Sequence, residues 1–135
     1  MSAHTENYIV ASPISDWFGF SVETTDTGAV YGLAFDESHI GNPLIRALHG
    51  GVIGAFLEFA AQCELTERLD NGAAIKTVNV DIDYLASSKA ADMKASATIT
   101  RLGRRIAFVE ATGWQDDPDR PVAKARLRIR IGTAQ

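Results

Sequence analysis

The stretch His49-Gly50-Gly51-Val52-Ile53-Gly54-Ala55-Phe56-Leu57-Glu58 decides how this chain reads. It opens on a flexible His-Gly-Gly turn and passes directly into apolar residues at helical spacing. The pattern predicts a helix from about Gly50 to Leu69, stopped by Asn71-Gly72. Val52, Ile53, Phe56, Leu57, Phe59, Ala60, Ala61 and Leu65 cover much of its circumference, where a surface helix would show one stripe. This is the one long helix predicted, so something must wrap it. Glu58 lies about two turns in. A carboxylate on an otherwise apolar helix loses hydration, and some interaction must offset that cost. Functional sites are a common reason for such a placement. Free backbone N–H donors at a helix start, with an acid/base group near, are what chemistry on a carbonyl needs.

The wrapping material follows the helix. Thr77-Val78-Asn79-Val80-Asp81-Ile82-Asp83-Tyr84 alternates, with its apolar side chains predicted on one face. Met93 to Leu102 and Ile106 to Trp114 are further strands joined at Gly103-Arg104. Val122 to Ile131 alternates again, with Ala123, Ala125, Leu127, Ile129 and Ile131 on one side and Lys124, Arg126, Arg128 and Arg130 on the other. Strands with one apolar and one polar side belong to an antiparallel sheet packed on one face. Upstream, Ile14 to Phe18 fits a helical turn, and Phe20 to Thr25 and Ala29 to Phe35 are strands separated by a turn at Asp26-Thr27-Gly28. Asp36 to Leu48 reads as a polar loop broken at Gly41-Asn42-Pro43. The sheet needs a cover and the helix needs a trough, which predicts an α+β domain with an antiparallel sheet around one central helix.

Composition narrows the function classes. The 135 residues fit one domain with a real core, assigned to residues 13–132 with residues 1–12 as an N-terminal tail. The net charge of -4 argues against general nucleic-acid binding. Cys63 is the single cysteine, which precludes an internal disulfide. The first ten residues lack a basic start and apolar run, and no apolar stretch is long enough to span a bilayer, so a cytoplasmic protein is expected. His4, His39 and His49 have no metal-ligand spacing, and no metal is expected.

The chain resembles the hotdog-fold acyl-CoA thioesterase superfamily, in the branch typified by phenylacetyl-CoA thioesterases, over roughly Pro13 to Ile131. The matching pieces are Asn42 ahead of His49-Gly50-Gly51, Glu58 on the helix, Thr77-Val78-Asn79-Val80-Asp81-Ile82-Asp83-Tyr84-Leu85, and Gly103-Arg104-Arg105 followed by Glu110. The resemblance implies hydrolysis of acyl-CoA thioesters, with coenzyme A as part of the substrate and no other cofactor. It makes the Gly50 N–H the oxyanion donor, where unsatisfied helix-start donors carry partial positive charge. It makes Glu58 the general base or the nucleophile, since the family's acid stands eight residues after that glycine. Asn42 corresponds to a loop residue that places the attacking water, and His49 to one that shapes the loop. Gln62 and Thr77 correspond to positions that support the acid or water, although relatives often carry a hydroxyl where Gln62 stands. Gly51, Phe59 and Tyr84 are candidates for contact with the substrate. Lys89, Arg101, Arg104 and Arg105 are candidates for the coenzyme A phosphates. Ala86-Ser87 departs from the family, where many members have a basic residue and proline. The family's sites form between subunits, which implies a homodimer, often paired again into a tetramer.

Simpler readings stand beside these. Gly50, Gly51 and Gly54 can equally serve close helix–sheet packing, Cys63 can be a small core residue, and the basic side of the last strand can be a solvated face. Two other functions compete with hydrolysis: an acyl-CoA-binding or regulatory module without catalysis, and an enoyl-CoA hydratase. The hydratase acid and histidine would stand at Ile40 and Ile45, which disfavours that reading.

Overall fold

A computed structural model describes residues 1–133. Two short helices come first, α1 (Ala3–Ala11) and α2 (Pro13–Phe18), then strands β1 (Ser21–Thr25) and β2 (Gly28–Leu33). A 3-10 turn (Glu37–His39) leads into a small hairpin of β3 (Ile40–Asn42) and β4 (Ala47–Leu48). The long helix α3 (Gly50–Leu69) follows, then β5 (Ile75–Tyr84), β6 (Met93–Leu102), β7 (Ile106–Trp114) and β8 (Ala123–Ile131). Six strands form one sheet in the order β1-β2-β6-β7-β8-β5, antiparallel at every pairing. The predicted helix and the predicted wrap are both present.

The sheet receives the helix because its middle strands carry small residues on the inner side. Ala95, Ala107, Ala111, Ala123 and Ala125 are fully buried, so the large side chains of α3 (Phe56, Leu57 and Leu65, also fully buried) come down close to the strands. At Gly54 the approach is closest: a Cβ there would lie 2.6 Å from Ile82 Cδ1. Lys124, Arg126, Arg128 and Arg130 alternate outward between buried partners. Arg126 pairs with Asp83 across β5–β8 at 3.0 Å, with both side chains about half exposed.

Three expectations are corrected. Residues 1–12 are no simple tail: α1 is capped by Ser2, whose hydroxyl accepts from Thr5 N–H at 3.2 Å, and it packs on α3. Its sequence hides it, because Tyr8 and Ile9 reach the core while Val10 beside them is 84% exposed, leaving no apolar stripe. The polar loop over 36–48 contains the β3–β4 hairpin. The alternation predicted for Thr77–Tyr84 also slips by one residue. Thr77 pairs with Ile129 but Asn79 pairs with Arg128, so Val78 is the extra residue of a β-bulge and is 52% exposed. The slip turns Thr77 to the helix side together with Val80 and Ile82, which pair with the buried Leu127 and Ala125.

Candidate active site

Two clusters form along α3. The first is its N-terminus. His49 is the N-cap, and its Nδ1 accepts the Gly51 N–H at 2.8 Å. Its carbonyl accepts from Val52 N–H at 3.0 Å and Ile53 N–H at 3.2 Å. These three bonds satisfy most of the donors that a helix start leaves free. The Gly50 N–H is the first-turn donor with no acceptor among the described residues. His49 is anchored in turn by its own N–H, which donates to the His39 carbonyl at 2.8 Å. His39 is buried; its Nδ1 accepts from Asp36 N–H at 3.1 Å, so Nε2 carries the hydrogen donated to Trp17 O at 2.9 Å.

Tyr84, at the end of β5, donates its hydroxyl hydrogen to the Gly50 carbonyl at 2.7 Å. A Cβ on Gly50 would meet that hydroxyl at 3.4 Å, an ordinary contact. Packing within the chain explains Gly54 but does not require glycine at position 50. Asn42 sits at the hairpin ahead of the helix, where its Oδ1 accepts from Leu44 N–H at 3.1 Å. Leu44 at the hairpin tip is 94% exposed.

The second cluster surrounds the acid. Glu58 Oε2 accepts from Gln62 Nε2 at 3.1 Å, and the same amide nitrogen donates to Thr77 Oγ1 at 3.1 Å. Having accepted there, the Thr77 hydroxyl keeps its own hydrogen to donate. Gln62 Oε1 accepts from the Tyr8 hydroxyl at 2.9 Å. Burial chiefly, then repulsion from Cys63 once it ionises and from the Glu58 carboxylate, push the Tyr8 phenol up to about 12, so it stays a donor at neutral pH. Burial first, and Glu64 second, push the Cys63 thiol up to about 12 as well.

The structure therefore joins Glu58, Gln62 and Thr77 in one network, and His49, Gly50, Gly51 and Tyr84 in another. The eight-residue step from Gly50 to Glu58 sets the two about 12 Å apart along the helix. Other predicted residues lie elsewhere. Phe59 is 4% exposed and enclosed by the rings of Tyr8, Phe18 and Phe20, so it is a core residue and lines no open surface. Lys89 lies at the Tyr84 end of the sheet, ion-paired to Asp116 at 3.1 Å and exposed. Arg101, Arg104 and Arg105 are exposed at the opposite end, around the β6–β7 turn. One chain does not bring the four bases together.

Sequence reasoning missed Tyr8 and assigned His39 no role. Ser2, three residues before Thr5, was an available capping signal for α1. Nothing in the sequence marked the buried role of His39. Among the described residues, no three His, Cys, Asp or Glu side chains are grouped to hold a metal ion, and no helix is long and apolar enough to cross a membrane.

A family model described as the thioesterase superfamily matches residues 46–122, more than half of the 135 residues. The match contains α3, β5, β6 and β7, and so both clusters except Tyr8 and Asn42. Among solved structures, a protein of Chromobacterium violaceum is 33% identical, with 94% of this chain and 88% of that one covered and a TM-score of 0.74. A phenylacetic acid degradation-related protein of Ralstonia eutropha is 21% identical over 94% of this chain and 98% of that one, with a TM-score of 0.81. A Bacillus halodurans protein solved with CoA is 19% identical over 97% and 93%, with a TM-score of 0.81. The last two likenesses establish the shared hotdog fold. A comparison with curated proteins gives no match.

Proposed function

The chain belongs to the thioesterase superfamily, and from that premise we propose that it hydrolyses acyl-CoA thioesters to the free acid and coenzyme A. One observation carries the reading: a single helix presents an uncommitted N–H at Gly50 and, two turns on, a carboxylate held by an amide. The fold shared with a CoA-bound protein supports the substrate class.

In the proposed reaction the Gly50 N–H donates to the thioester oxygen, where negative charge grows as a nucleophile adds to the carbonyl carbon. Such a donor is worth about 3–4 kcal/mol of barrier. Glu58 takes a proton from the attacking water, whose oxygen bonds to the carbonyl carbon. The tetrahedral adduct then expels the sulfur, the C–S bond breaks, and the thiolate takes the proton that Glu58 had received, which restores the carboxylate. Gln62 holds Oε2 of the acid, leaving Oε1 to face the water, and Thr77 offers that water a second partner. Direct attack by Glu58 would instead give an acyl-enzyme anhydride that water cleaves. Appearance of oxygen-18 from labelled water in the Glu58 carboxyl within one turnover would establish the second route.

Because the two clusters are too far apart on one helix, the proposed site pairs Gly50 of one subunit with Glu58 of another. β5 suits this arrangement: it is an edge strand of ten residues with one side unpaired in the sheet. Pairing with its own copy would cover an edge that invites association. Antiparallel pairing also reverses the second helix and turns the Arg101, Arg104 and Arg105 end of one copy towards the Lys89 end of the other. These bases are the proposed phosphate contacts; arginine suits them through its planar donor fork. Asn42 and Tyr84 would border the thioester, and a further pairing of dimers is part of the same proposal. Release of free thiol from a panel of short-chain, medium-chain and aromatic acyl-CoAs tests the activity. Glu58→Gln should abolish release while leaving the assembly intact. Wild-type protein that binds acyl-CoA without turnover would overturn the enzymatic reading.

A further inference from the structure

The amide that holds the acid is itself held from outside the two clusters. We infer that Tyr8, on α1, is a positioning residue for the hydrolysis proposed above: its phenol fixes which way round the Gln62 amide stands, and so keeps an N–H against Glu58. The inference rests on that functional reading.

A glutamine amide turns end for end with little change in shape, exchanging two donors for an acceptor. Of the groups around Gln62, Thr77 does not choose between the ends, because a hydroxyl donates or accepts equally well. Glu58 chooses only while it is ionised. Once it has taken the proton from water, its carboxyl has a hydrogen of its own to donate, and the flipped amide becomes an acceptable partner. The Tyr8 hydroxyl can accept as well as donate, but the Gln62 oxygen is the one acceptor its hydrogen has among the described residues. The Thr77 hydrogen, by contrast, is left for the attacking water, so Tyr8 favours the same end in both states. Its hydroxyl donates to Oε1 at 2.9 Å, which leaves Nε2 facing Glu58 and Thr77 at 3.1 Å each. In the flipped amide an N–H₂ would face that hydroxyl, whose own hydrogen would lose its acceptor.

The phenol is well placed to hold this direction. The Tyr8 ring stacks on Phe59, the residue after Glu58, with centroids 5.7 Å apart and planes at 24°. Helix α1 is therefore packed directly against the acid-bearing turn of α3. The phenol, pushed up to about 12, keeps its hydrogen over the whole neutral range.

Tyr8→Phe removes the hydroxyl and keeps the stacked ring, so the fold should survive, which the thermal midpoint checks. With the wild type active and Glu58→Gln inactive as controls on the functional reading, kcat of Tyr8→Phe should fall about fivefold with KM nearly unchanged, the cost of one lost neutral hydrogen bond. Gln62→Leu should fall at least as far, and adding Tyr8→Phe to it should cost nothing more, because the phenol acts only through the amide. Wild-type kcat in Tyr8→Phe, or costs that multiply in the double variant, would overturn the inference and leave the function standing. Nuclear magnetic resonance of the Gln62 side-chain N–H₂ gives a readout that needs no turnover. The wild type should show two well-separated, slowly exchanging protons, and Tyr8→Phe a converged and faster-exchanging pair. An unchanged pair in the variant would reject the positioning role even if no substrate were found.

Discussion

Gly50→Pro is the sharpest available perturbation of the proposed site, because it deletes one N–H and little else. Proline lacks the donor, and the first helical position is where helices accept it best. Residue 49 must then be extended, since proline disfavours a helical predecessor; His49 already has φ -63 and ψ 132. The added Cβ meets Tyr84 Oη at 3.4 Å, a normal contact. No hydrogen bond within the fold is lost, as the Gly51, Val52 and Ile53 N–H groups keep their acceptors on His49. Replacing glycine also restricts the unfolded chain, which favours the fold by about 0.4–1 kcal/mol. The thermal midpoint should hold or rise slightly. Catalysis should not hold: loss of a single oxyanion donor costs about 100- to 1000-fold in kcat. Gly51 cannot substitute, because its N–H is committed to His49 Nδ1 at 2.8 Å. The assay is thiol release under saturating acyl-CoA beside a melting curve. A folded Gly50→Pro protein with kcat within about threefold of wild type would refute Gly50 as the donor.

Three further outcomes follow from the same geometry and from the buried groups. If the site is shared between subunits, mixing inactive Gly50→Pro with inactive Glu58→Gln should restore activity, because each mixed dimer holds one site with an intact glycine and an intact acid. Random exchange in a symmetric dimer then recovers about a quarter of wild-type activity, whereas a site within one chain recovers none. The protein should also lose stability in alkali. Tyr8 rises from 10.0 to about 12 and Cys63 from 9.0 to about 12 on folding, both chiefly through burial. Between those values the unfolded chain releases protons that the folded chain keeps, so their contribution is whole below pH 9 and falls as pH climbs towards 12. Melting midpoints measured across this range should drop; a flat profile would contradict the burial argument. In the same protein, Cys63 should resist thiol reagents at neutral pH until denaturant is added.

The sequence displayed the helix and most of the sheet because each carries a strong period. Helix α3 begins and ends at the predicted Gly50 and Leu69, since a His-Gly-Gly turn and an Asn-Gly stop bracket a continuous apolar run. The acid cluster was legible only in part. Glu58 stood out as a charge among apolar neighbours, but the bond from Gln62 to Thr77 depends on a bulge at Val78 that reverses side-chain facing. A bulge leaves no mark in a run of alternating residues, because one extra residue still alternates locally. Helix α1 was illegible for a different reason. It is held by an aromatic stack and by Glu67, which accepts from Ser2 N–H and the Thr5 hydroxyl at 2.8 Å each. Tertiary partners of this kind stabilise a short helix that its own pattern does not announce. Phe59 shows the converse error: an aromatic close to the acid reads as a substrate contact until α1 is seen to enclose it.

The strand beside α3 ties the two clusters to the proposed assembly. β5 runs opposite in direction to the helix, for Tyr84 at its end meets Gly50 while Thr77 near its start meets Gln62. It supplies one side chain to each cluster, and its free edge is where the second copy of the proposed dimer would attach. Without the bulge, Thr77 and Tyr84 would lie on opposite faces, since seven positions of strict alternation separate them. One extra residue at Val78 puts both on the inner side. A pairing of two β5 strands would then turn the helices head to tail and set the Gly50 turn of one copy beside the acid of the other. The hydrogen-bonded edge and the inward side chains belong to the same ten residues. A change that shifts the strand's register should therefore disable dimer formation and the acid's support together, while leaving the Gly50 turn folded.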